Sequence, residues 1–451
     1  MKLSERLKSD DSWADYRQQI QARSHLDRKT YNDLKSKVHF HLVEELDITS
    51  VTELPREILA ESIRVGLEQI TSALNLPLNQ VERSVLVADL MDEILGLGPI
   101  ESLIHDESIQ DILINGYDQV FVERGGLLEH TDIKFRDNDH LLQIIDRIVS
   151  RVGRRVDESS PMVDARLTDG SRVNVIIPPL ALLGPVVSIR KFGKRPVDLE
   201  RLLQTKALTP QIHTFLQAAV QSKLNILISG GTGAGKTTLL NIFSEYIPPT
   251  ERIVTIEDSA ELRLNQPHVV PLESRPPNVE GRGEVTLTDL VKNCLRMRPD
   301  RIIVGEARGG EVMDMLQAMN TGHPGSMSTI HANTPKDALS RMEVMAGMGT
   351  TFFSERALRG LIASAIHIIV QLARLPDGSR RVISVSEVRG MVNEMVEVQP
   401  LIVFRQEGVD DAGQVYGNFQ GTGTAPLFAE HIRSFGLEMP DDIFDHIVQV
   451  P

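Results

Sequence analysis

Gly230-Gly231-Thr232-Gly233-Ala234-Gly235-Lys236-Thr237 fits the pattern G-x-x-x-x-G-K-[ST] without a mismatch. Residues 224–228 before it form a short apolar run, the mark of a buried strand. Residues 236–246 after it read as a helix, stopped by Pro248-Pro249. A glycine-rich turn between strand and helix can wrap its N–H groups inward, and the helix end adds positive potential. The expected ligand is a polyphosphate, lined by Gly230, Gly231, Thr232, Gly233, Ala234, Gly235, Lys236, Thr237 and Thr238. Lys236 would place its charge on the outer phosphates, and the Thr237 hydroxyl suits Mg²⁺. ATP and Mg²⁺ are the expected cofactors.

Around this loop, short apolar runs alternate with helical patterns. Strands are expected at residues 252–256, 301–304, 326–330 and 366–372. Helices are marked by Leu287, Leu290, Val291, Cys294 and Leu295, then by Val312, Met315, Leu316 and Met319. That alternation argues for a parallel sheet covered by helices, an α/β domain over residues 201–451. Thr209-Pro210 should cap the helix that opens it. Residues 194–206, with Pro196 and mixed charge, read as a linker. Residues 81–200 read as an α+β domain. Its helices are expected at 85–97 and 141–152, and its strands at 111–115, 119–123 and 172–177. Residues 1–80 read as a polar helical bundle for contacts, with a helix start near Thr52-Glu53-Leu54-Pro55 and Ile58, Ile63 and Leu67 facing a neighbour.

Two acids end strands of the α/β sheet, where such sheets place their ligands. Glu306 follows the 301–304 run, and Glu257 ends the 252–256 run. Hydrolysis needs a group that orients and deprotonates water in line with the γ-phosphate. Glu306 is the first candidate and Glu257 the second. The Asp that often precedes such a Glu is Gly305 here, so Mg²⁺ contact would run through water or through Glu257. His323 and His331 bracket the 326–330 run. His331, at the strand end, is placed to sense a γ-phosphate; two histidines without further ligands make no zinc site.

The chain has 451 residues, more than one hydrophobic core organises. Its formal net charge is −14, which argues against nucleic-acid backbone as a direct ligand. The single cysteine, Cys294, excludes an intrachain disulfide and reads as core packing. The N-terminus lacks the apolar stretch of a signal peptide, and residues 173–189 are broken by Pro178, Pro179, Gly184 and Pro185. A cytoplasmic protein without direct membrane insertion is expected. Against the acidic total, residues 147–195 hold ten Arg and Lys against four Asp and Glu, a local balance of +6. Such a cluster invites phosphate contact, and an Arg reaching a neighbour's phosphates would make turnover depend on assembly.

Several blocks together resemble the type II/IV secretion ATPase superfamily, and within it the CpaF-like branch of tight-adherence (Flp) pili. They are Gly153-Arg154-Arg155-Val156-Asp157, Asp164-Ala165-Arg166, Asp169-Gly170-Ser171-Arg172-Val173-Asn174 and Ser188-Ile189-Arg190-Lys191-Phe192. The phosphate loop, Thr255-Ile256-Glu257-Asp258, Leu295-Arg296-Met297-Arg298-Pro299-Asp300, Val304-Gly305-Glu306-Ala307-Arg308 and the His323/His331 segment continue the series. The resemblance implies a RecA-like ATPase domain behind an α+β, PAS-like domain, in subunits of a homohexameric ring. It implies nucleotide between the two domains, with Arg166, Arg172, Arg190 and Arg296 as phosphate-contact or finger candidates. Glu257 would lie in an aspartate box, Gly305-Glu306 in an atypical Walker B, and His323 and His331 in a histidine box. The ring would act at the cytoplasmic face of the inner membrane on integral platform proteins. The leading expectation is a motor for pilus assembly; the alternatives are an ATPase of a type IV secretion or conjugation apparatus, or a nucleotide-gated scaffold.

Overall fold

A computed structural model describes residues 56–73, 78–125, 127–191, 198–277, 281–349, 353–411, 413–439, 444 and 447–450. The expected bundle over 1–80 therefore lies mostly outside the described residues, as do the helix start at 52–55 and most of the N-terminal half of the expected linker. The chain divides into two compact units, Met1–Lys194 and Arg195–Pro451.

In the first unit, helices Arg56–Ala73 and Gln80–Leu95 pack on each other. Ile63 and Leu67 are buried as expected, but Ile58 is exposed, on the other side of its helix. Beyond them, β1 (Ile109–Asn115), β2 (Val120–Arg124), β3 (Leu127–His130), β4 (Met162–Arg166), β5 (Arg172–Ile176) and β6 (Val186–Arg190) form an antiparallel sheet. Its order is β3-β2-β1-β6-β5-β4. Val173, Val175, Val187 and Ile189 alternate inward, meeting Leu141, Ile144, Ile145 and Ile148 of helix Asn138–Ser150. The opposite residues of β5 and β6 face away from that core, the period-2 consequence of a half-covered sheet.

The second unit holds a ten-stranded sheet among the described residues. Its parallel part contains β7 (Ile226–Gly230), β8 (Ile253–Glu257), β9 (Val269–Glu273), β10 (Arg301–Val304), β11 (Met327–Ile330) and β12 (Ile368–Arg374). β13 (Arg380–Val392), β14 (Met395–Val409), β15 (Val415–Gly421) and β16 (Ile447–Val450) complete it. The order is β16-β15-β14-β13-β12-β7-β11-β10-β8-β9. β7, β8, β10 and β11 are buried along their whole length, because helices cover both faces. Thr209 accepts from the Ile212 amide to cap helix Pro210–Gln221, as the Thr-Pro pair predicts. Cys294 is fully buried, and desolvation pushes its thiol up to about 12, so it packs as expected.

The expectation of a parallel sheet holds only for β7 through β12. From β12 onward the strands run antiparallel. Two tight turns join the first of them: Asp377-Gly378 between β12 and β13, and Asn393-Glu394 between β13 and β14 with φ of 50° and 66°. Consecutive positive φ values give the twist that hairpins prefer.

At the amino-terminal edge of the parallel strands, Arg301 is fully buried. Its Nε lies 2.5 Å from Glu251, and Nη1 donates to the carbonyls of Val220 and Gly325. A Cβ on Gly325 would fall 1.9 Å from Arg301 Nη1, so the glycine is compulsory.

Candidate functional site

Because β7, β8, β10, β11 and β12 are parallel, their carboxyl ends share one edge. The loop from Gly231 to Gly235 leaves β7 there, flanked by β11 and β12, and opens helix Lys236–Ser244. Gly233 and Gly235 take φ of 70° and 96°. No side chain caps this helix, in contrast to those begun by Asp137, Asp198, Thr209, Thr286 and Ser354. Its first amides therefore lack the usual side-chain acceptor. Space for a Cβ is open at Gly231 and Gly233, so nothing presses on the loop there. These are features of an anion cradle.

Lys236 is buried, and its Nζ donates to the Gly231 carbonyl at 3.0 Å. Burial, with Arg308 and Arg341, lowers its pKa, while Glu306 opposes the shift. Nζ also lies 3.3 Å from both ring nitrogens of His331. His331 Nε2 is 2.7 Å from Glu306 Oε1. Burial and then the Lys236 charge hold His331 below its ordinary value. Glu306 Oε2 receives Arg308 at 2.6 and 2.9 Å, and Arg308 also reaches Asp258 at 3.2 Å. The sequence reading gave Arg308 no role; its two-residue spacing from Glu306 was the available signal.

Glu257, the second acid, is buried at the end of β8. Its carboxylate accepts from the Glu261 amide at 2.7 Å and the Leu262 amide at 3.1 Å. A Cβ on Gly305 would lie 2.8 Å from Glu257 Cγ. Glu257 therefore fills the volume that a side chain at position 305 would need.

The two histidines are not brought together. His331 follows β11 at the edge that carries the loop, whereas His323 precedes β11 at the other edge. Its Nδ1 is buried without a hydrogen bond. Arg296 is exposed on the turn before β10, also at the far edge. Three other arginines are aligned. Arg166 pairs with Arg172 across β4 and β5, and Arg172 pairs with Arg190 across β5 and β6. Cross-strand partners share a face, so the three cations form one row on the face away from the core. Arg190 lies 3.4 Å from Asp111.

The family described as type II/IV secretion system protein matches residues 93–419. The chain belongs to this family. A putative conjugal transfer protein of Mycobacterium tuberculosis is 39% identical over 306 residues, 66% of this chain and 86% of that protein. The type IV secretion system protein PtlH of Bordetella pertussis is 35% identical over 302 residues, 61% of this chain and 88% of that one. Among solved structures, the VirB11 ATPase of the Brucella suis type IV secretion system is 28% identical. It covers 64% of this chain and 92% of its own, with a TM-score of 0.36. The family match spans the aligned arginines, the phosphate-loop sequence, Glu257, Glu306 and His331. In this family member no described helix is long and apolar enough to cross a membrane.

Proposed function

We propose that this secretion-family chain is the ATP-hydrolysing motor subunit of a secretion or pilus machine. The observation that carries it is the convergence of the uncapped glycine loop, buried Lys236, His331 and Glu306 on one sheet edge. The loop amides and Lys236 would bind the phosphates. The residues fit Mg²⁺ only together with a nucleotide: among the described residues no group of three His, Cys, Asp or Glu could hold a metal. Thr237 would supply the protein's hydroxyl, with Glu257 held behind the site. Mg²⁺ and triphosphate, when bound, would supply a charge-neutralised phosphoryl group for attack by water. Glu306 would orient a water and take its proton at a carboxylate oxygen, and His331 would keep that carboxylate fixed and report the third phosphate.

The subunits would form a homohexameric ring, with Arg166, Arg172 and Arg190 as contributors to a nucleotide's phosphates and one of them acting between subunits. Their alignment in one cross-strand row supports this. The ring would work at the cytoplasmic face of the inner membrane on integral platform proteins, without contacting nucleic acid. Two machines fit. The sequence blocks favour a tight-adherence pilus, for extension or retraction; the relatives named for conjugal transfer and type IV secretion favour a transfer apparatus equally. A scaffold without turnover is disfavoured by the acid at Glu306.

Phosphate release and nucleotide binding by Lys236→Ala test the core of this reading. Loss of both is expected. Undiminished ATP affinity would dismiss the loop as the phosphate site.

A further inference from the structure

The hairpin between β12 and β13 touches the phosphate loop at both ends. Leu372 stands in register with Gly230, and its carbonyl oxygen would lie 2.8 Å from a Cβ there. Arg380, the first residue of β13, donates from Nε to the Gly233 carbonyl at 2.8 Å, and its Cδ would lie 3.6 Å from a Cβ on Gly235. The hairpin is itself tied down. Asp377 accepts from the Ser379 amide and hydroxyl at 2.9 and 2.6 Å, and its other oxygen accepts from the Val415 amide of β15 at 2.8 Å. Arg380 is thus presented from a braced turn to a glycine-rich, conformationally permissive loop.

A peptide unit is planar and trans, so its C=O and N–H point opposite ways. Holding the Gly233 oxygen outward turns the Ala234 amide to the inner side of the loop. There it makes only a long 3.3 Å contact with the Gly231 carbonyl. Glycine loops otherwise lose much conformational freedom when they order around a ligand, and pre-ordering returns that loss as affinity.

We propose that Arg380 is a positioning residue for nucleotide binding, which sets the phosphate loop by gripping its outer carbonyl at Gly233. This rests on the nucleotide reading above and adds to it a cis residue far along the chain from the motif. Because the grip acts on the loop and not on the third phosphate, diphosphate and triphosphate should feel it alike.

The test is calorimetric titration of the full chain with Mg-ADP and with a slowly hydrolysed Mg-ATP analogue, alongside steady-state turnover. Arg380→Ala should weaken both nucleotides by on the order of tenfold, the worth of one hydrogen bond to a charged donor at a partly open site. KM should rise with kcat held. Arg380→Lys should not restore affinity, since an ammonium lacks the planar Nε donor. Arg380→Gln serves as a second variant, and both should melt like the native chain because the side chain is exposed. Unchanged affinity, recovery by lysine, or a fall in kcat with ADP affinity intact would each overturn the proposal. Lys236→Ala is the control. If it loses binding while Arg380→Ala does not, only Arg380 is misassigned; if it keeps binding, the nucleotide reading itself fails.

Discussion

Gly305→Ala should damage this protein although it adds one methyl group. The new Cβ would sit 2.8 Å from Glu257 Cγ and 3.2 Å from Glu257 Oε2. Glu257 is 4% exposed and held by the Glu261 and Leu262 amides, so it has little room to retreat. Keeping it in place overpacks the site, at about 1–3 kcal/mol. Swinging it aside forfeits hydrogen bonds to a charged acceptor, about 1.5–3 kcal/mol. The chain takes the cheaper path, so roughly 2 kcal/mol is expected. In a unit of this size that lowers the melting temperature by roughly 4–8 °C. Differential scanning calorimetry of the full-length variant reads this directly. The decisive arm is a double-mutant cycle: in a Glu257→Ala background the same Gly305→Ala change should cost less than about 0.5 kcal/mol, because its clash partner is gone. A single variant that melts within about 1 °C of native, or a cost independent of Glu257, would refute the steric account of Gly305.

Other outcomes follow from the same geometry. Glu306→Gln should retain nucleotide but slow turnover by about 10²–10⁴, and undiminished phosphate release would shift the role to Glu257. Gly325→Ala should cost on the order of 3–5 kcal/mol, because its Cβ would displace Arg301 from its buried pairing with Glu251. Soluble protein with a native melting curve would remove that network from the account. Stability should also fall on acidification. His367 accepts from the Asn225 amide at 2.8 Å; burial first, and then His431, hold its pKa below the ordinary 6.5. The unfolded chain takes that proton more readily, so stability is full above 6.5 and is lost as pH falls below it. Melting temperature followed from about pH 7.5 to about pH 5.5 should drop, and less steeply in His367→Gln; parallel curves for the two would clear His367.

The phosphate loop, the strands around it and the acids at their ends were legible because each is local. A short, mostly apolar run, a glycine turn and a helix declare themselves within about twenty positions. Arg301–Val304 was read to the residue, and Thr209-Pro210 announced its cap. The antiparallel half of the large sheet was not read. β13 and β14 pair locally through the Asn393-Glu394 turn, but that turn lacks the glycine that usually announces such a hairpin, and both strands mix polar and apolar residues.

Sequence alone determined the chemistry on offer: a main-chain anion cradle, one lysine, strand-end carboxylates and a surplus of arginine against an acidic chain. Tertiary structure decided which of these meet. It set Lys236, His331 and Glu306 within hydrogen-bonding distance, separated His323 from His331 by the length of a strand, and aligned Arg166, Arg172 and Arg190 across three strands. It also brought in Arg308 and Arg380, and made Gly305 obligatory beside Glu257. The reason is that residue type fixes what a side chain can donate, accept or carry, whereas distance between groups far apart in the chain is fixed only when strands choose their neighbours and register.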